Sequence, residues 1–209
     1  VLRTGYQRWV ELPSIGTLAP LTNAGLVINN SLAIDASRIE DYQARIESRW
    51  TGRLFTVIGA ERVALEDPAP EAGYLWRSLR ANYFDAAVNA ILSEQLGLHL
   101  RHRYADAEAD DGPLDGRKAP GLPRHTTTGG IVWVSPRYVK ASLSASYCTD
   151  AWSDYTNTTK EPSFLLTSLS VSWEPLRKRL LLGAAVNNLV NEGRPAPPRS
   201  ASATVAYRF

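Results

Sequence analysis

Apolar and polar residues alternate without a break from Val139 to Tyr147. Val139, Ala141, Leu143, Ala145 and Tyr147 form one set; Lys140, Ser142, Ser144 and Ser146 form the other. A pleated strand sends two such sets to opposite faces. The last nine residues repeat the pattern, with Ala201, Ala203, Val205, Tyr207 and Phe209 against Ser202, Thr204, Ala206 and Arg208. Leu165 to Trp173 and Leu96 to Tyr104 alternate in the same way.

A soluble sandwich also alternates, but three features point to strands that cross a membrane. Many runs reach about 9–13 residues, enough to span a hydrocarbon core at a steep tilt, whereas ordinary strands are nearer 5–6. Aromatic residues collect at run ends: Trp50, Tyr104, Trp133, Tyr147, Trp173, Tyr207 and Phe209. Such residues form girdles where lipid meets water. The polar face is rich in Ser, Thr, Lys and Arg, which suits a wet lumen and not a packed core.

The connections are of two kinds, and they alternate. Short turns fall near Thr51-Gly52, Ser93 to Gln95, Ser135 to Arg137 and Glu174 to Lys178; long loops fall near Glu11 to Ser37, Glu66 to Gly73, Ala105 to His125, Cys148 to Ser163 and Val190 to Ser200. That arrangement marks an outer-membrane barrel. Counting back from Phe209 predicts about ten strands, over 2–11, 38–50, 53–65, 75–86 with an extension toward Leu92, 96–104, 126–134, 138–147, 164–173, 179–189 and 201–209. The fold expected is all-β: an antiparallel up-and-down transmembrane barrel segment over residues 1–209, part of a larger barrel. The last strand ends on the short-turn side, so the C-terminus is expected in the periplasm.

Composition narrows the alternatives. The longest clean apolar run, Leu180 to Val186, is far short of the ~20 residues of a membrane helix. The formal charge of +2, without a basic stripe, excludes a nucleic-acid partner. Methionine is absent even at position 1, which reads as a processed or excised piece of a longer protein. The lone Cys148 cannot form an internal disulfide and reads as a small residue at a strand end.

No chemistry of catalysis or metal binding emerges. Asp106, Glu108, Asp110 and Asp111 invite comparison with a calcium loop, but the glycine, Gly112, is one place late and the twelfth position is Arg117. His99 and His102 differ by three on a strand and face opposite sides; with His125 they are the only histidines. No H-E-x-x-H, C-x-x-C or G-x-S-x-G occurs. Asp150, Asp154 and His125 could be grouped as a rim triad only if the fold brought them together. The expectation is no enzyme, no cofactor and no metal. Gly129-Gly130 is read as relief of crowding in a curved wall. Asn29 and Asn157 begin glycosylation-like triplets that are coincidental in a bacterial outer membrane. Arg45, Arg49, Arg101, Arg103, Lys140 and Arg208 fall on polar faces, where acidic partners such as Glu47 would balance them; the alternative is a basic track that attracts anions.

From Leu96 onward an ordered set of motifs resembles the closing strands of a TonB-dependent outer-membrane receptor barrel. A strand rises from Leu96 to Tyr104 into the acidic Asp106-Ala-Glu108, and Pro123-Arg-His125 resembles the segment that re-enters the membrane. Asp154-Tyr-Thr-Asn157-Thr fills the next loop. Val186-Asn187-Asn188-Leu189-Val-Asn191 is similar to the family's V-x-N-L-x-N/D run. Pro197-Pro198-Arg199 precedes the final strand, which closes on Tyr207-Arg208-Phe209. The resemblance implies family and assembly roles for Asn187, Asn188, Leu189, Asn191, Pro198, Arg199, Tyr207 and Phe209. A receptor of that family has a plug and a barrel of about 22 strands, so the plug and earlier strands are expected upstream.

The resemblance implies a porin-like wall in the Gram-negative outer membrane that imports a scarce solute: a metal chelate, cofactor or glycan. Implied partners are lipid and lipopolysaccharide, the barrel-assembly machinery, and the TonB complex through an upstream region. Two alternatives stay open: an export or passive barrel tied to helical repeats, and a soluble β-sandwich that binds sugar.

Overall fold

A computed structural model describes residues 1–10, 22–23, 26–27, 38–66, 78–175 and 179–207. Among these, ten strands form one antiparallel sheet in which each strand pairs with its neighbour in the chain. They are β1 (Leu2–Val10), β2 (Arg38–Arg49), β3 (Leu54–Glu66), β4 (Ser78–Ile91), β5 (Leu96–Asp111), β6 (His125–Val134), β7 (Val139–Cys148), β8 (Phe164–Trp173), β9 (Leu180–Asn187) and β10 (Ser200–Tyr207). There is no helix and no second layer among the described residues. Two-residue ladders join Thr22–Asn23 to Leu26–Val27 and Ala151–Trp152 to Lys160–Glu161. The sheet is open: β1 and β10 are its end strands.

The ladder registers place the two halves of each alternating run on opposite faces. Leu98 is paired with Ile131, Ile131 with Leu143, and Leu143 with Leu169. The large exposed apolar residues Tyr6, Tyr42, Ile46, Ile58, Phe84, Val88, Leu98, Leu100, Ile131, Leu143, Leu169, Val171 and Val205 share that face. Among the described residues nothing packs over this apolar surface, which overturns the sandwich alternative, because a sandwich would bury these side chains between two sheets. The opposite, inner face carries Ser142, Ser144, Ser146, Ser168, Ser170 and Thr204 on β7 to β10 and charged side chains on β1 to β5. Hydroxyls pair across strands there, Ser142 with Ser170 at 2.7 Å and Thr128 with Ser146 at 2.8 Å.

Aromatic rows bound the apolar face. At the long-loop end Tyr6 packs on Tyr42 with ring centroids 4.8 Å apart, and Phe84 is paired with Tyr104. At the short-turn end stand Trp50, Trp133, Trp173 and Tyr207, with Trp50 Nε1 donating to Thr56 Oγ1 at 2.8 Å. Beyond the upper row the same face turns charged, with Arg8 bridged to Glu40 at 3.2 Å and Arg38 to Glu66 at 3.6 Å. An apolar band between aromatic rows, about 25 Å tall, is the profile of a barrel wall in lipid.

One strand runs longer than the alternation alone predicts. β5 continues to Asp111 where an acidic loop is expected from Ala105, whereas β4 ends at Ile91, within the expected extension toward Leu92. The reason lies on the inner face. Ala105, Ala107 and Ala109 are buried opposite Tyr83, Ala81 and Leu79, and Ala105 and Ala107 belong to a cluster with Ile39, Val63 and Leu65. Small side chains let Ala119 and Leu122 pack against it. Leu65 and Leu79, each 2% exposed and opposite in register, stabilise this end by roughly 1.5–3 kcal/mol each. The carboxylates of the same stretch point outward and find cations: Arg80 donates to Asp110, and Lys118 bridges Asp106 and Glu108. They are ion-pair partners rather than a calcium loop.

The final strand is described to Tyr207; Arg208 and Phe209 lie outside the described residues, as do Arg177 and Lys178. Gly130 leaves room on the inner face for the His99 ring, which a Cβ there would strike.

The face assignment carries a direct consequence. Leu143→Arg, at mid-strand on the apolar face, is expected to cost about 2–4 kcal/mol in a bilayer and to block assembly, whereas Ser144→Arg is tolerated. Folding yields in lipid vesicles, read by heat-modifiable gel mobility, separate the two; equal damage contradicts the assignment.

Candidate functional site

Alternating connections place the described long loops, 112–124, 149–163 and 188–199, at one end of the sheet. Two of them, 112–124 and 149–163, dock on each other. Asn157, held at φ 56°, clamps the Lys118 backbone from 39 residues away: Lys118 N donates to Asn157 Oδ1 at 2.6 Å, and Asn157 Nδ2 donates to Lys118 O at 2.9 Å. An asparagine tolerates this left-handed backbone better than other side chains. Gly121 N donates to Trp152 O at 2.7 Å, a second tie. Asp154 organises the loop from within, accepting from Thr156 Oγ1 at 2.6 Å, Thr158 N at 3.0 Å and Thr159 N at 2.6 Å. These bonds hold its carboxyl well below the usual carboxylate range.

Between the docked loops is a cleft of about 270 Å³ lined by Asp106, Lys118, Arg124, Asp150, Trp152 and Lys160, among others. Lys160 Nζ lies 4.7 Å from the Trp152 ring centroid and donates to Asp150 Oδ2 at 2.7 Å. That bond, with the Lys160 charge, lowers the Asp150 pKa. Burial works against the Lys118 ammonium, but the hydrogen bonds it donates to Asp106 and Glu108 prevail and raise its pKa. Arg124 Nη2 donates to Tyr104 OH at 3.1 Å. The cleft offers an aromatic face and paired charges of both signs, suited to holding a polar solute without a strong net field.

The loop 188–199 is built around one buried side chain. Asn188 is fully buried, with φ 53°. Its Nδ2 donates to Glu192 O and Pro197 O, both at 2.8 Å, and its Oδ1 accepts from Glu192 N at 2.9 Å. Arg199 donates from Nε to Asn188 O at 3.3 Å and from Nη2 to Leu189 O at 2.7 Å. Asn191, also left-handed at φ 59°, donates its N–H to Asn188 O at 2.9 Å. Leu189 N donates to Thr167 O at 2.9 Å, tying the loop to β8. Asn187 ends β9 opposite Ser200, Pro198 lies on the approach to β10, and Tyr207 ends β10 opposite Leu180. The motif residues Asn188, Leu189, Asn191, Pro198 and Arg199 thus sit in one loop, with Asn187 at the strand end that leads into it. Phe209 is outside the described residues.

Other candidates separate. Asp150 is engaged with Lys160 and Asp154 with its own turn, and His125 lies beside His102, so no rim triad forms among the described residues. Four inner-face arginines pair with two carboxylates: Arg101 and Arg103 share Asp85, and Arg3 and Arg45 share Glu47, so each carboxylate meets two guanidiniums. Lys118, Glu192 and the His102–His125 contact, at 3.4 Å between Nε2 and Nδ1, were not singled out by pattern; each depends on residues brought together by register.

Asn188→Ala removes three hydrogen bonds from a buried, left-handed position and is expected to destabilise the barrel by about 2–4 kcal/mol, read in urea unfolding by tryptophan fluorescence; an unchanged midpoint contradicts the hub. For Asp154, a depressed folded pKa means its contribution is complete above the unfolded carboxylate pKa and is lost only as pH falls through the lower folded value. Amide exchange at Thr158 and Thr159 should therefore keep its protection from pH 7 to about pH 4, and Asp154→Ala should abolish that protection at every pH.

With this geometry in view, comparisons place the chain. The family described as TonB dependent receptor-like, beta-barrel matches residues 41–189. No curated protein sequence matches. Solved structures share the fold. The siderophore receptor PiuA of Acinetobacter baumannii is 16% identical, with TM-score 0.68, over 100% of this chain and 34% of that one. The ferric yersiniabactin uptake receptor of Yersinia pestis is 13% identical, with TM-score 0.66, over 97% and 32%. The copper transporter OprC is 14% identical, with TM-score 0.70, over 100% and 38%. The chain thus spans about a third of the length of these structures. Barrels of this family reside in the bacterial outer membrane, and by the match over most of its length this chain belongs to the TonB-dependent receptor-like β-barrel family.

Proposed function

We propose that residues 1–209 are one wall segment of a TonB-dependent importer, with further strands and a plug supplied by the rest of a longer protein. The observation that carries this is the two-faced sheet: an apolar outer surface between aromatic rows, a hydroxyl-lined inner surface with paired charges, and the described long loops at one end. An open sheet cannot sit in lipid with unpaired edges, so β1 and β10 call for neighbours. The solute is a scarce compound too large for passive pores: a metal chelate, a cofactor or a glycan. The docked loops 112–124 and 149–163 are the part of this segment that meets it, through the cleft at Trp152 and Arg124.

In this reading the loops are extracellular, beside lipopolysaccharide, and the short turns and C-terminus are periplasmic. The loop 188–199 and the terminal strand with Tyr207 and Phe209 serve assembly, the latter as the signal met by the barrel-assembly machinery. The wall itself does no catalysis.

The test is uptake by cells making the whole protein, supplied with ferric siderophores, copper chelates, cobalamin or oligosaccharides as the sole source of the nutrient. Import of one class is expected, lost without TonB and reduced at least tenfold when 149–163 is replaced by a short glycine-serine turn. Import that persists without TonB contradicts the proposal.

A further inference from the structure

The register of β5 and β6 brings together two histidines that stand 23 residues apart. His102 is paired with Thr127 and Tyr104 with His125, so His102 and His125 are diagonal neighbours on the outer face, at the upper aromatic row. Their rings lie 5.5 Å apart by centroid, with His102 Nε2 3.4 Å from His125 Nδ1. This is long for a hydrogen bond, whose donor and acceptor normally sit about 2.7–3.2 Å apart. It matches the bite of a tetrahedral metal, where two nitrogens about 2.0–2.1 Å from the ion are about 3.3–3.4 Å from each other.

The surroundings favour ligation. His102 Nδ1 lies 2.8 Å from Thr127 Oγ1; with the proton on Nδ1, that bond orients the ring and leaves the Nε2 lone pair free, as outer partners of metal-binding histidines do. His125 is fixed at its backbone, where its N–H donates to Thr149 Oγ1 at 3.0 Å and its carbonyl accepts from Thr149 N at 3.0 Å. Its ring is exposed at the rim. The adjacent cation, Arg124, directs its guanidinium to Tyr104 OH.

We propose that His102 and His125 form a two-nitrogen site for a divalent transition-metal ion on the outer rim of the wall. No group of three His, Cys, Asp or Glu side chains converges among the described residues, so water completes the coordination. Imidazole ligands select copper, zinc or nickel over calcium and magnesium. The bound ion cross-braces β5 and β6 beneath the docked loop 112–124. His99 lies on the opposite face against Gly130 and takes no part, so the site is separate from any path through the lumen.

The test uses the intact protein without a histidine tag, freed of metal by EDTA, in detergent micelles. Copper(II) is titrated by calorimetry, and its coordination is read by electron paramagnetic resonance. One saturable equivalent with two-nitrogen hyperfine structure is expected. His102→Ala and His125→Ala each weaken binding at least about tenfold, Thr127→Val weakens it about tenfold, and His99→Ala leaves it unchanged. Absence of saturable binding, absence of nitrogen coupling in the unaltered protein, or an affinity in His102→Ala and His125→Ala equal to that of the unaltered protein overturns the site. The spectrum of the unaltered protein decides even if a variant folds poorly.

Discussion

In a hydrocarbon medium every backbone N–H and C=O must find a protein partner, because water is not there to serve. That constraint shapes everything in this chain. It forces long antiparallel ladders, and β2 to β5 run without interruption through 12 to 16 residues. It also frees most side chains from closing a core: the apolar set faces outward and the polar set inward, the reverse of a soluble domain, except where Ile39, Val63, Leu65 and Leu79 cluster on the inner face at the long-loop end. The inner charges then need only local partners, and Asp85 and Glu47 each hold two arginines.

The same constraint explains where the irregular structure is. Away from lipid the loops must satisfy their own backbones, and they do so with a few short polar side chains. Asn188, Asn157 and Asp154 each replace missing ladder partners, and both asparagines adopt left-handed backbones. The recurrent Asn and Arg of the 186–199 stretch are thereby explained as loop architecture: Asn188 is the hub, Arg199 caps two carbonyls, and Glu192 reaches back to the Leu165 N–H at 3.0 Å.

Much of the wall was legible in the sequence because alternation is local. β7 and β8 fall where period two places them, and Leu143 and Ser144 take the faces expected of them. The extension of β5 was not legible: Asp106, Glu108 and Asp110 read as a loop because their cations, Arg80 and Lys118, are remote in sequence, and Ala105 to Ala109 are too small to announce a buried face. The site was harder still. The docking of Asn157 on Lys118 and the approach of His102 to His125 depend on register between elements, which no pattern within one strand encodes.

The central claim, that odd and even side chains along one strand meet lipid and water respectively, is most directly measured by nitroxide scanning. Cys148 is replaced by serine, single cysteines are placed in turn at 139–147, and the protein is folded into vesicles. Collision rates with oxygen and with a polar nickel chelate are then recorded. The account predicts a period of two, with oxygen favoured at Ala141, Leu143 and Ala145 and the chelate favoured at Ser142, Ser144 and Ser146. A flat profile, or the opposite phase, would contradict it.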